Sequence, residues 1–476
     1  MPAKNGDVEK RAEFLSLRQE LLIELDGGLS AHGIRHRRRA HLRHSVGWVI
    51  ARRTANTLRR VGDATLAALL LILLSPIALI AILVATLSGG GITKQERLGR
   101  WATRFNLYQL DFPKSSFLSK FTLLQQFPEL YNVLRGDMSF IGPRPIAPSE
   151  EFAEKRIAWK RYNLRPGLLS LWWIRKRANI AYSSEVSLDS EYVETTSFWG
   201  DLGIAARAIP ASLYSSGVSN APALIHFLGI RINNLTMAEA SAQIVATAKG
   251  DTPSQVCFVN ADCVNIACND TQYRDTLSQA KLVLADGIGV RLAGMILDQN
   301  VRENVNGTDM FPILCSAIEK AGLSLYLLGG KPGVAEDVGK WVAKSYPALT
   351  IAGTQDGYFS PDQEASVLEE IKTSRADILL VALGAPRQDK WIAEHRKQAG
   401  AKVLIGVGGL LDFYSGRIPR APVWVRELGM EWFYRFIQEP RRMFHRYFVG
   451  NFNFLSRVIR ERIRNKTTQR HEDHAR

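Results

Sequence analysis

The sequence predicts an α/β protein. Its carboxyl-terminal part is a parallel sheet with helices on both faces, preceded by a membrane hairpin and a small, mainly helical region. Three observations carry this. Beyond about residue 224, short runs of Val, Ile and Leu alternate with amphipathic stretches, and strands buried on both faces read as continuous apolar runs. Each run ends in a polar or glycine-rich cluster, which marks the strand ends where open sheets bind ligands. Ahead of them, the stretch from Ala64 to Leu87 is the most apolar in the chain, interrupted only by Thr65, Ser75, Pro76 and Thr86.

Length and composition bound the rest. A chain of 476 residues, 46% hydrophobic and 22% charged, has room for two to four domains and is neither disordered nor collagen-like. Lys+Arg 61 against Asp+Glu 46 leaves +15, a surplus that suits phosphorylated ligands, an anionic membrane face or nucleic acid. Cys257, Cys263, Cys268 and Cys315 lack the paired spacing of a zinc site and are too few for a disulfide framework, so they read as reduced thiols in a reducing cytoplasm.

Taken in order, residues 1–58 form a basic amino-terminal region without the apolar core and cleavage site of a secretory signal. Arg35, Arg37, Arg38, Arg39, Arg43, Arg52, Arg53, Arg59 and Arg60 crowd its later part and would hold that side in the cytoplasm. The apolar stretch that follows has the length of a spanning helix, about 20 residues. Ser75-Pro76 at its midpoint predicts a kink or break, because proline removes a backbone donor and crowds the preceding turn. Ser75 can satisfy one freed carbonyl. Two half-helices would enter and leave by the same face as a re-entrant hairpin, with Asp63 pairing with Arg59 or Arg60; a kinked transmembrane helix is the alternative.

Residues 59–212 carry a set of strings: Arg59-Arg60-Val61-Gly62-Asp63, Gln95-Glu96-Arg97-Leu98-Gly99, Asn132-Val133-Leu134-Arg135-Gly136-Asp137-Met138-Ser139, Gly142-Pro143-Arg144-Pro145, Arg165-Pro166-Gly167, and the run from Leu188 to Leu202. The region resembles the monotopic polyprenyl-phosphate phosphoglycosyl transferases, the bacterial sugar transferases, which implies a re-entrant hairpin and a cytoplasmic catalytic face. In that family a Leu-Asp-Glu-Leu-Pro string holds the catalytic Asp-Glu pair, the aspartate being the nucleophile. Here the aligned residues are Leu124-Gln125-Gln126-Phe127-Pro128. An amide is neither a useful nucleophile nor a proton carrier, so Gln125 and Gln126 mark a lost dyad and the domain reads as a degenerate anchor. Residual activity through Asp111, Glu129 or Asp137 is the alternative, and magnesium would be needed only in that case. Arg144 and Arg165 either grip a phosphate or pair structurally.

Residues 213–224 are small, polar and unpatterned, a linker. In the next region, 225–428, strands are expected at Gln255–Val259, Lys281–Ala285, Ser324–Leu328, Thr350–Gly353, Asp377–Leu383 and Lys402–Val407. Helices lie between them, including Met237–Ala248, Val334–Ser345 and Gln363–Ser374. The clusters at the run ends include Asn260-Ala261-Asp262, Asp286-Gly287-Ile288-Gly289, Gly329-Gly330-Lys331-Pro332-Gly333, Asp356-Gly357-Tyr358, Gly384-Ala385-Pro386-Arg387-Gln388-Asp389-Lys390 and Gly406-Val407-Gly408-Gly409. Glycines there admit a phosphate to the backbone and to helix N-termini, so a nucleotide or nucleotide-sugar is the expected occupant. Gly287-Ile288-Gly289 is an incomplete dinucleotide fingerprint.

With Asn306-Gly307-Thr308-Asp309 and Gly429-Met430-Glu431-Trp432, these strings make the region resemble the WecG/TagA/CpsF family of inverting glycosyltransferases. The resemblance implies a Rossmann-like sheet and transfer from a UDP-sugar to a polyprenyl-diphosphate-linked saccharide at the cytoplasmic membrane face, with no metal or other cofactor. It makes Asp286 the general base, with a helix N-cap as its bland alternative. Asn260 and Gln388 are implied to bond the sugar or uracil, and Gly330 and Lys331 to meet the diphosphate. Gly287, Thr308, Asp309, Gly329, Gly357, Tyr358, Gly384, Pro386, Lys390 and Gly408 complete the expected substrate contacts. Phe258 and Asn304 stand where many relatives have Thr and Arg, with Arg302 as a possible substitute for the latter.

Residues 429–476 interleave Trp432, Phe433, Tyr434, Phe436, Phe444, Tyr447 and Phe448 with Arg435, Arg441, Arg442 and Arg446. This reads as an interfacial helix. In the family it brings arginines to the lipid diphosphate, here Arg435, Arg442 and Arg446. No nucleic-acid fold signature accompanies it. The expected protein is therefore a monotopic glycosyltransferase of exopolysaccharide, capsule or similar surface-glycan assembly, in contact with membrane lipids and with room for other assembly enzymes as partners. One rival has both domains active; another makes the front half a non-catalytic scaffold.

Overall fold

The structure, a computed structural model, describes residues 34–112, 122–150, 159–178, 180, 182, 184–213 and 221–474. The chain divides into two compact units, Met1–Arg175 with Tyr182–Ser212, and Lys176–Ala181 with Leu213–Arg476.

The first unit begins with helix α1 (Ile34–Leu87), which runs through Pro76 as one helical segment. The break expected at Ser75-Pro76 is not seen. Ser75 Oγ donates to Ile72 O at 2.8 Å, the carbonyl that a residue without an N–H at position 76 leaves unpaired. Strands β1 (Gly91–Leu98) and β2 (Arg104–Asp111) form an antiparallel hairpin. Ala67 packs with Phe105 and Leu107, while Ala81 and Ala85 pack with Leu110 and Phe112. The 18 residues from Ala67 to Ala85 rise about 27 Å as helix and the seven from Phe105 to Phe112 about 23 Å as strand, so helix and hairpin lie alongside each other.

Helix α2 (Glu129–Arg135), strands β3 (Ser139–Ile141) and β4 (Gly167–Leu169), and helices α3 (Glu185–Thr195) and α4 (Phe198–Leu213) complete this unit. Beyond the hairpin this unit is mainly helical, as expected, with β3 and β4 pairing in parallel. Its family strings act as fasteners. Buried Asn132 accepts from Tyr108 N and donates to Asn106 O. Arg60 donates to Val133 O and Leu134 O and Arg165 to Gly136 O, satisfying carbonyls at the end of α2. Asp63 takes Ser139 Oγ at 2.6 Å rather than Arg59 or Arg60, and Arg59 instead pairs with Asp201 at 2.9 Å.

The second unit is built on an eight-stranded sheet of order β10-β9-β11-β12-β7-β8-β6-β5. The strands are β5 (Leu224–Phe227), β6 (Ile230–Asn233), β7 (Ser254–Val259), β8 (Leu282–Ala285), β9 (Ser324–Gly329), β10 (Thr350–Gln355), β11 (Ile378–Ala382) and β12 (Val403–Gly406). All pairings are parallel except β5 with β6. Burial on both faces is plain in β7: Val256 and Phe258 enter one hydrophobic cluster, Cys257 and Val259 another. The six expected strands all form. The β5–β6 hairpin was not expected; its two-residue turn is Leu228-Gly229, both at positive φ, a geometry that ordinarily carries the signature Asn-Gly.

Helices cover both faces, and the sites below use α5 (Met237–Ala248), α6 (Ala261–Asn269), α7 (Thr271–Gln279), α8 (Ile288–Ile296), α9 (Gly307–Ala321), α10 (Val334–Ser345), α11 (Pro361–Ser374) and α12 (Arg387–His395). After β12 come the short helices α13 (Leu410–Tyr414) and α14 (Val423–Glu427), then α15 (Glu431–Gln438), α16 (Pro440–Phe444), a π-helical turn His445–Val449, and α17 (Gly450–His474). Phe454 and Val458 of α17 are fully buried in the cluster formed with α6 and α8. Asn265 donates to Gly450 O at 2.7 Å and Arg457 to Asn265 O at 3.1 Å, so the start of the tail is packed into the unit.

Candidate active site

The C-terminal ends of the neighbouring strands β11, β12, β7 and β8 open into a cavity of about 840 Å³. Asp286 follows β8 and lies in its wall. It does not cap α8, whose N-cap is Gly287 at φ +88 with no side-chain bond, so its carboxyl is left for other work. Asn260 follows β7. Its Oδ1 caps α6, accepting from Asp262 N and Cys263 N at 3.1 Å, and its side chain lies close enough to Asp286 to favour the charged carboxylate. Burial pushes the Asp286 carboxyl up to about 6, opposed by nearby Arg435 and Arg446 and assisted by Glu431. Such a group is ionised at neutral pH yet retains appreciable basicity.

The cavity favours anions. The N-termini of α6, α8 and α9 all reach its wall through Asn260, Gly287 and Asn306, each turning a positive dipole end toward it; Asn260 and Asn306 cap α6 and α9, while α8 has no side-chain cap. Arg435 and Arg446 reach the same space from the tail. Arg435 lies over the Phe413 ring, 4.5 Å from its centroid, and Arg446 pairs with Asp262 at 3.0 Å. The π-helical turn that carries Arg446 is an irregularity common at functional sites.

Of the expected contacts, Asn260, Gly287, Thr308, Asp309, Gly384, Gln388 and Gly408 line the cavity with Asp286. Gln388, almost wholly buried, accepts with Oε1 from Gly384 N at 3.1 Å and Gly408 N at 2.9 Å. The side chain expected to bond the sugar or uracil thus uses its oxygen to hold two glycine-rich loops together. Asp309 is also engaged: Arg420 lies at 2.8 Å, Arg426 at 3.4 Å, and Asn306 donates to its other oxygen.

Gly329, Gly330, Lys331, Gly357, Tyr358, Pro386 and Lys390 do not line the cavity. Gly329 to Lys331 and Gly357 to Tyr358 follow β9 and β10, the outer strands on that side. Five strand spacings separate β10 from β8, about 24 Å. Lys390 is held by Asp270 at 2.6 Å. Arg302 is held bidentately by Glu239 at 2.7 and 2.9 Å. Asn304, which it was expected to replace, itself lines the cavity and accepts from Gly287 N. The side chain of Arg442 lies outside the described residues.

Asp262, Asn306, Asp412, Arg426 and Glu431 also line the cavity without having been singled out. Three of them stand inside the strings around Asn260, Thr308 and Trp432, where motif membership was the only available signal. Among the described residues, no group of three or more His, Cys, Asp or Glu is arranged to hold a metal. Cys257, Cys263 and Cys315 are buried and Cys268 half-buried, all as free thiols.

In the first unit, Gln125 and Gln126 lie just before α2, beside Glu129. Glu129 is buried, accepts from Gln109 Nε2 at 2.7 Å and also bonds Gln126, and burial pushes its carboxyl up to about 7. Arg144 Nη2 is held by Glu150 at 2.6 Å and by Glu185, and its guanidinium stacks on Trp172. Both expected phosphate cations are thus engaged within the unit, Arg165 through the Gly136 carbonyl noted above.

Comparison with known proteins agrees with this geometry. Residues 113–215 match the bacterial sugar transferase family model, and residues 225–468, just over half the chain, match the model of the glycosyl transferase WecG/TagA/CpsF family. The N-acetylglucosaminyldiphosphoundecaprenol N-acetyl-beta-D-mannosaminyltransferase of Bacillus subtilis (strain 168) is 35% identical over 184 residues, covering 39% of this chain and 71% of that relative. The chain is therefore a glycosyltransferase that belongs to the WecG/TagA/CpsF family, fused behind a bacterial sugar transferase-like region.

Proposed function

We propose that this protein transfers a sugar from a UDP-sugar to a hydroxyl of a polyprenyl-diphosphate-linked saccharide, with inversion, in the assembly of a surface polysaccharide. The observation that carries the reading is Asp286, a carboxylate beside Asn260 and raised to about 6 by burial in an anion-favouring cavity. Its carboxylate takes the proton from the acceptor hydroxyl. The acceptor oxygen forms the new bond at the anomeric carbon, and the bond from that carbon to the diphosphate oxygen breaks with its electron pair, releasing UDP. Three helix N-termini with Arg435 and Arg446 supply the positive charge that a leaving diphosphate requires, so the proposed step uses no metal. The lipid diphosphate acceptor is supported by the activity for which the Bacillus relative is named.

The first unit serves in this reading as a membrane anchor at the cytoplasmic face. Helix α1 contains the one described stretch long and apolar enough to cross a bilayer, Thr57–Leu87. Both ends of its apolar part pack on one strand of a hairpin whose outer residues Lys94, Gln95 and Glu96 are exposed. This supports an element that lies in one leaflet rather than crossing. The exposed aromatic residues Phe433, Phe444, Phe448 and Phe452 support lipid contact by the tail. In purified full-length protein with lipid acceptor, UDP release should be lost in Asp286→Asn and unaffected by a chelator. UDP release that survives Asp286→Asn would remove this carboxylate from the mechanism.

A further inference from the structure

We propose that Ala178 and Ile180 form the acceptor side of the glycosyltransferase cavity and help decide which lipid-linked saccharide reaches Asp286. This rests on the reading of Asp286 as the base. In sequence both residues lie well ahead of residue 225, where the match to the glycosyltransferase family begins. The segment Lys176–Ala181 nevertheless belongs to the second unit, and Ala178 and Ile180 line the same cavity as Asp286. Ile180 is 5% exposed and Ala178 half-buried. The segment is held at α8, where Arg291 Nη1 donates to Arg177 O at 3.1 Å. The region that matches the family therefore does not supply the whole wall of its own cavity.

Strand order identifies the substrate that meets this wall. From β11 to β8 the strand ends under the cavity span three strand spacings, about 14 Å. The loops after β11 and β12, joined by Gln388, stand at one end and α8 at the other. Asp286 ends β8 and leads into α8, so donor and acceptor react at the α8 end. The nucleotide then extends toward the glycine-rich loops, whose backbone admits phosphate, and the acceptor is left with the α8 side. That side is apolar: Ile288 and Leu292 of α8, with Phe454 and Leu455 of α17, which packs on α8, line the cavity beside Ile180. It is also cationic. Arg291 lines the cavity, and Arg177 and Arg291 are 7% and 6% exposed. Burial, then Arg291, lowers the Arg177 guanidinium to about 10, so it stays charged at neutral pH. An apolar wall beside guanidinium groups suits a lipid diphosphate, which carries both kinds of surface, better than a nucleotide.

The test measures binding to the full chain in detergent micelles, with UDP as the donor-side probe and undecaprenyl-diphosphate-linked N-acetylglucosamine as the acceptor-side probe. Ile180→Ser strips apolar surface from the wall and Ala178→Leu narrows the cavity. Exposed Lys176→Ala, which does not line the cavity, is the reference. Ile180→Ser and Ala178→Leu should each weaken acceptor binding about tenfold, with the UDP Kd within about twofold and Tm unchanged. Lys176→Ala should change neither affinity. Acceptor binding equal in the parent and both variants would overturn the proposal while leaving Asp286 its role. UDP and acceptor binding that fall together with Tm in both variants would make the segment a structural prop, and would overturn the proposal too. A parent that binds UDP but not the acceptor would overturn the lipid-acceptor reading and this proposal with it.

Discussion

Asp286 is a carboxyl whose charged form folding disfavours. Its carboxyl is raised from 3.8 to about 6 by burial, so the native state holds the proton more tightly than the unfolded chain. The stability this lends is present below about pH 4 and lost as pH rises through about 6. Asp286→Asn should therefore lower the rate of UDP release by about 10³-fold and also raise stability at pH 8 by on the order of 1–3 kcal/mol, with no gain at pH 4. Thermal melts at the two pH values check this. In the parent enzyme kcat/KM should rise with pH through a midpoint near 6. Asp262 gives a second prediction at this scale. It occupies Arg446 at 3.0 Å inside the cavity, where an acceptor diphosphate must compete for the same cation. Asp262→Asn should lower the acceptor KM several-fold with little change in kcat, measured by acceptor titration. Asp286 and Asn260 were legible because each ends an apolar run in a polar cluster. The Asp262–Arg446 pair was not, since it needs residues far apart in sequence to meet.

Among elements, strand order decides what a glycine-rich loop can do. The loops after β9 and β10 look like phosphate cradles in the sequence, but the sheet puts those strands outside β11 and β12. Apolar runs reveal that strands exist and are buried; they do not reveal which strand ends are neighbours. Lys331→Ala should accordingly leave donor KM within about twofold, whereas Gly406→Ala should abolish folding or activity. A methyl at Gly406 would meet Asp389 Oδ1 at 2.4 Å and Gln388 Nε2 at 2.8 Å, an overlap that a packed interior relieves only by displacing these buried side chains or the strand. Expression level and a melt separate the two outcomes. In the first unit, the amides at 125 and 126 sit beside buried Glu129, raised to about 7. Gln126→Glu would set a second carboxyl against it, so the variant should lose on the order of 2 kcal/mol at pH 8, with a smaller loss at pH 6, and should gain no transferase activity. Helix α1 was legible as an apolar element. Ser75 was legible as the partner of a freed carbonyl and bonds Ile72 O; that the helix runs on through Pro76 was not, because proline alone reads as a break.

At the scale of the whole molecule, the proposed division gives the first half the role of a fold and the second the role of a reaction. In the first unit, family residues survive as fasteners: Asn132 on the hairpin, Arg60 and Arg165 on the end of α2, Arg144 between two glutamates. In the proposed reading Gln125 and Gln126 stand where the resemblance places the carboxylates of covalent chemistry. In the second, Asp286, Asn260, Arg435 and Arg446 share one cavity. The most direct test identifies the nucleotide released when full-length protein meets a panel of UDP-sugars, with polyprenyl phosphate in one series and a polyprenyl-diphosphate-linked sugar in the other. UDP is expected, only with the diphosphate-linked sugar, and lost in Asp286→Asn. UMP released with polyprenyl phosphate alone would contradict the division, because it would mean that the first unit still transfers a sugar phosphate.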